Sequence, residues 1–169
     1  MKKRNTSWFY AGCLLGLITL PVSAAQLSLN WSEPDTYKDI RPTSGESKSG
    51  FQQRLFESLE QHILSLTSKL PESYTLEMIV TDLDLAGDME PGSAQTQYRE
   101  MRVVSDMYHP RISFKYILKD QQGKILSSGE ERLKGSLLRP ANVRMPTYVG
   151  FPAEKKMLER WFKSTLLKQ

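Results

Sequence analysis

Four carboxylates crowd the segment Thr81-Asp82-Leu83-Asp84-Leu85-Ala86-Gly87-Asp88-Met89-Glu90, a density that calls either for a cation or for cationic side chains. Aligned with a calcium loop, Asp82, Asp84, Gly87 and Asp88 take the first, third, sixth and seventh positions. Ala86 stands where Asp or Asn is wanted, and Ser93 stands where the bidentate Glu belongs, so two decisive ligands are missing. The favoured reading is therefore an ion-pair arrangement. Asp82 and Asp84, two apart on a strand, point to one face, and Arg99, Arg102 or Arg111 reaches back to them through a planar guanidinium. Asp84 is expected to be the buried member. A cation held by Asp82, Asp84 and Asp88 is the alternative, and no metal site or cofactor is assigned.

Catalytic templates are sparse. His62 lies beside an apolar stripe and His109 precedes Pro110, so the two histidines do not make a metal-ligand pair, and neither G-x-S-x-G nor S-x-x-K occurs. A paired-carboxylate hydrolase on Asp82 and Asp84 would be deprived of its acid by the same arginines, which hold both carboxylates ionised. The remaining chemistry-bearing candidates are aromatic: Tyr148, in a long loop, and Trp161, near the end of the chain. Together these features favour a non-enzymatic binding or accessory protein, with a hydrolase of unrecognised type as the third reading.

The elements that position these residues are read from periodicity. Leu27 to Trp31 alternates apolar and polar and predicts a short first strand, which Pro34 ends. After a polar connection from Glu33 to Gly50, Ser49 and Gln52 have capping-box spacing, and Phe51, Leu55, Leu59, Ile63, Leu66 and Leu70 predict an amphipathic helix that stops at Pro71. Tyr74 to Leu85 is apolar enough to predict a central strand buried on both faces. Ala86 to Gln97 reads as a loop and Met101 to Val104 as a short strand.

Ile112, Phe114, Tyr116 and Leu118 alternate with polar residues, Asp120 to Gly123 forms a type I turn, and Ile125 to Leu133 returns as a hairpin partner. Lys134 to Phe151 is long, irregular and partly apolar, which predicts a loop packed along the surface and rimming a cleft. Pro152 opens a last helix whose apolar face carries Met157, Leu158, Trp161, Phe162 and Leu166. The predicted fold is α+β, an antiparallel sheet of about four to five strands with two amphipathic helices packed on one face.

The first 24 residues read as a signal peptide: Lys2, Lys3 and Arg4, an apolar run from Trp8 to Leu20, then Val22-Ser23-Ala24. The run is shorter than the roughly 20 residues needed to span a bilayer, and Pro21 interrupts it. The sole cysteine, Cys13, falls inside this leader and has the wrong apolar surroundings for a lipoprotein site, so neither an internal disulfide nor a lasting membrane anchor is expected. The 23 Lys and Arg residues less three in the leader leave 20 against 19 Asp and Glu, a mature net charge near +1. Such a balance excludes the basic field of a nucleic-acid binder. The 169 residues less 24 leave 145, which fits one domain over 25–169.

Trp31 with Pro34, Tyr37-Lys38-Asp39-Ile40, Leu70-Pro71, Thr81 to Gly87, Arg102-Val103-Val104, Pro110-Arg111-Ile112, Gly129-Glu130-Glu131 and Glu154 to Phe162 together resemble the bacterial family called domain of unknown function 3016. The resemblance covers nearly the whole mature chain. It implies an exported periplasmic protein of a Gram-negative bacterium and carries no catalytic residues with it. The partner is expected to be a periplasmic protein or a small ligand.

The leader generates the first prediction. Protein recovered from the cell envelope should begin at Ala25 or within a residue or two of it, as read by N-terminal sequencing; an intact Met1, or a lipid on Cys13, would contradict the reading.

Overall fold

The computed structural model describes residues 25–43, 45–91, 100–105, 107–136, 143–145 and 149–168. Strand β1 (Gln26–Trp31) leads through a 3-10 turn (Pro34–Thr36) to helix α1 (Lys48–Thr67). Strands β2 (Thr75–Asp84), β3 (Asp88–Glu90), β4 (Met101–Val104), β5 (Arg111–Lys119), β6 (Ile125–Lys134) and β7 (Val143–Met145) follow, and helix α2 (Pro152–Thr165) comes last. Among the described residues two sheets result: one of four strands in the order β1-β2-β5-β6, and one of three in the order β3-β4-β7.

The class is α+β, but the main sheet is mixed and not antiparallel throughout. β1 runs parallel to β2, with Gln26 opposite Thr75 and Trp31 opposite Val80. The physical reason is the connection: α1 carries the chain from one strand to the next, and a crossover of that length brings the second strand back in the same direction. The remaining pairs are antiparallel. β5 and β6 form the expected hairpin, in which the Gly123 amide donates to the Asp120 carbonyl at 3.0 Å and the Asp120 carboxylate accepts from the Gln122 and Lys124 amides.

β2 is central but is not buried on both faces. Leu76, Met78 and Val80 enter the core at even positions, then a bulge between Val80 and Asp82 shifts the phase, and Leu83 and Leu85 enter at odd ones. An extra residue reverses which side chains face inward. This phase change makes the strand look continuously apolar in the sequence. It also places Asp82 on the outer side, which the alternation before the bulge already gives to Ile79, 45% exposed.

One continuous core joins these strands to both helices. All six apolar residues of the α1 stripe are buried: Phe51, Leu55, Leu59, Ile63, Leu66 and Leu70, the last just beyond the helix. Ser47, not Ser49, caps α1, its hydroxyl accepting from the Gly50 amide at 3.0 Å. The helix ends at Thr67, before Pro71. At the opposite end of the chain, Trp161 meets Phe114 and Tyr116 edge-on at 4.7 and 5.1 Å. Trp31 stacks on Phe56 of α1 at 4.2 Å.

Trp161 is 5% exposed, and among the described residues its buried indole nitrogen meets no acceptor. Removing this ring leaves a large void, so Trp161→Ala should lower unfolding stability by about 3 to 5 kcal/mol in a urea melt. Trp161→Phe should cost less than half of that, because it keeps an aromatic edge against Phe114 and deletes a donor that carries a desolvation penalty. Equal costs for the two variants would contradict this account.

Candidate functional site

Where β2 ends, three parts of the chain meet around a cleft of about 280 Å³. Lys38 and Asp39 come from the connection after β1; Asp84, Leu85, Gly87 and Asp88 from the turn between β2 and β3; Met107, Tyr108, His109 and Arg111 from the approach to β5. Local anchors hold each part. Tyr37 and Ile40, on either side of Lys38 and Asp39, are both buried, and the Tyr37 hydroxyl donates to the Val80 carbonyl at 2.9 Å. Burial raises that phenol to about 12, so it stays protonated and keeps donating.

The turn after β2 is held from behind. Arg102, fully buried on β4, donates to the Asp39 carboxylate at 2.7 Å and to the Asp39 carbonyl at 2.8 Å. The same guanidinium reaches the Ala86 and Gly87 carbonyls at 3.4 and 3.3 Å. From the other direction the Ala86 amide donates to the carboxylate of Glu154, a fully buried residue in the first turn of α2, at 2.8 Å. The Gly87 amide donates to the Tyr108 carbonyl at 2.9 Å, joining the turn to the far wall of the cleft.

Gly87 has φ of +84°, and a Cβ there would lie 2.7 Å from the Val103 carbonyl oxygen. Only glycine fits both the backbone angle and the gap. Asp39 also adopts a left-handed backbone, with φ of 57°, a conformation that Asp and Asn tolerate better than most side chains.

The expected ion pairs are thus partly rearranged. Asp84 meets Arg111, its direct partner across β2 and β5, but at 3.4 Å and with the arginine side chain 59% exposed. Arg102 does not join Asp82 or Asp84; it is taken by Asp39. The bulge accounts for this, because it turns Asp82 and Asp84 to the outer side of the main sheet while Arg102 points inward from the smaller one. Asp82 is exposed and is not part of the cleft lining, so the three carboxylates of the cation reading do not converge. Among the described residues, no group of three or more His, Cys, Asp or Glu side chains is placed to hold a metal ion.

Asp88 lines the cleft with one carboxylate oxygen accepting from the Met89 amide at 2.8 Å. His109 lines it with a buried Nδ1 that meets no partner among the described residues. His62 lies elsewhere, its Nε2 3.0 Å from the Lys155 carbonyl, and burial lowers its pKa. Trp161 borders a separate cleft of about 280 Å³ between β6 and α2. Tyr148, and with it half of the loop expected to rim a cleft, lies outside the described residues, as do Arg99 and the leader.

Residues 25–164 match the family model described as a protein of unknown function, DUF3016. The chain belongs to the DUF3016 family. No curated protein matches it. Parts of four of the quoted motifs of this DUF3016 protein meet here: Lys38-Asp39, the turn from Asp84 to Gly87 and Arg111 line the cleft, and Arg102 lies behind the turn.

No role is assigned from the sequence to Asp39, Glu154 or His109. A signal existed for Glu154, which lies three and four positions before Met157 and Leu158 on the apolar stripe of α2, where a carboxylate is out of place unless it is hydrogen-bonded. For Asp39, the clue was its position between two apolar residues in an otherwise polar connection.

These geometries separate two carboxylates that look alike in the sequence. Asp39→Asn keeps a residue tolerant of the left-handed backbone but underpairs a buried guanidinium, and should cost about 3 kcal/mol in chemical unfolding. At Asp84, burial raises the pKa more than Arg111 lowers it. A raised carboxyl is a penalty on the folded state above its folded pKa, and the penalty vanishes as pH falls below the ordinary 3.8. Asp84→Asn should therefore change stability at neutral pH by less than about 1 kcal/mol, solvent screening keeping both opposing effects small. A larger loss at Asp84 than at Asp39 would reverse the assignment.

Proposed function

We propose that this DUF3016 protein is a non-enzymatic binding protein of the periplasm and that the cleft beyond β2 takes a small polar ligand. One observation carries the reading: polar groups converge on a small concave space while only partly satisfying one another. Arg111 meets Asp84 through a single long contact, and Asp88 on the same lining accepts within its own turn from the Met89 amide. A ligand adds to these contacts, since weakly engaged charged groups around a concave space keep donors and acceptors for a bound partner.

The walls also favour binding. They are built on strand ends and on a turn fixed by Arg102 and Glu154, so the cleft is preorganised and loses little entropy on occupation. The periplasmic assignment is supported by the leader and by a family match that begins at Ala25, the residue expected to follow cleavage. Ala25 is itself buried, so a chain starting there keeps its first core residue.

A thermal-shift panel of small polar metabolites tests the proposal on the mature chain. At least one compound should raise the melting temperature saturably, by several degrees at about 100 times its dissociation constant. Arg111→Ala, which removes a mostly exposed side chain, should weaken that compound while leaving the unliganded melting temperature within a degree or so. A panel without any shift, or a shift indifferent to Arg111, would overturn the assignment of the cleft.

A further inference from the structure

Resting on the binding reading of the cleft, we infer that its ligand class is a small zwitterion carrying a free ammonium and a free carboxylate, on the scale of a dipeptide. The argument is one of charge and size. Of the charged residues lining the cleft, Asp39 is matched at 2.7 Å by Arg102 behind it. Among the described residues of the lining, Lys38 and Arg111 remain as cations and Asp84 and Asp88 as carboxylates, Arg111 and Asp84 meeting each other only at 3.4 Å.

Two charges of each sign complement neither a net anion nor a net cation, because either would leave like charges facing it without compensation. A ligand with one charge of each sign is met on both. Arg111 has a planar fork suited to a carboxylate, and its present contact with Asp84 engages one terminal nitrogen at 3.4 Å, which leaves further N–H groups for a second acceptor. Asp88 accepts from the Met89 amide through Oδ1, and its second oxygen meets no donor among the described residues, so an ammonium can take it.

The size agrees. A volume of about 280 Å³ corresponds to roughly nine waters at the ~30 Å³ each occupies in the liquid, which is the scale of a dipeptide of small residues. Its two charged ends lie roughly 7 Å apart when extended.

Calorimetric titration of the mature chain with L-alanyl-L-alanine, its N-acetyl derivative and its C-terminal amide tests this directly. The free dipeptide should bind, and each cap should weaken binding about tenfold or more, the size expected for losing a charge-assisted hydrogen bond. Asp88→Asn retains the oxygen that accepts from Met89 and so keeps the turn, yet it should weaken the free dipeptide while leaving the N-acetyl derivative unchanged. Equal binding of the N-acetyl derivative and the free dipeptide would show a site that reads only an anion, and equal binding of the amide one that reads only a cation; either overturns the inference. If the dipeptides fail while another compound binds in an Arg111-dependent way, the zwitterion is wrong and the cleft stands. If nothing binds, both fall.

Discussion

The arrangement depends on one buried cation. Arg102 lies on the smaller sheet, yet its guanidinium bonds to Asp39 in the β1 to α1 connection and to the carbonyls of the turn that leaves β2. A charge removed from water is tolerable only when it is paired and hydrogen-bonded, so these contacts are obligatory for Arg102. Three stretches distant in sequence are thereby held at fixed distances from one another. Glu154 adds a fourth by accepting from Ala86, which ties the last helix to the same turn.

This clamp and the cleft are two sides of one construction. Behind the turn, the backbone polar groups of Ala86 and Gly87 are satisfied by buried side chains; in front of it, Asp84, Asp88, His109 and Arg111 face a space that water or a ligand fills. The outward charges are weakly engaged and the inward one is tightly engaged. That division suits the proposed binding role, since the residues fixing a site's shape should not be those that would recognise a ligand. The left-handed backbone at Asp39 and the glycine requirement at position 87 belong to the inward side.

The bulge in β2 decides which carboxylates face where. Without the additional residue, Asp82 and Asp84 would continue the even-numbered inward series of Leu76, Met78 and Val80 and would demand buried partners. With it they emerge on the outer side, Asp84 at the cleft and Asp82 in solvent. The pairing of Asp84 with Arg111 then follows from strand register alone.

Local periodicity determined much of the architecture. The α1 stripe from Phe51 to Leu70, the β5 and β6 hairpin with its Asp120 turn, and the start of α2 at Pro152 were all legible, because each rests on side-chain spacing or turn chemistry within a few residues. The motif residues also identified the family. What tertiary structure decided was non-local. The parallel direction of β1, the three-stranded sheet formed by β3, β4 and β7, and the choice of Asp39 over Asp84 for Arg102 all depend on which segments meet after the chain has crossed over. A bulge breaks alternation by a single position, and an ion pair across 63 residues has no spacing to read. Periodicity therefore shows which side chains seek burial or a partner, while only the folded topology determines which partner each one reaches.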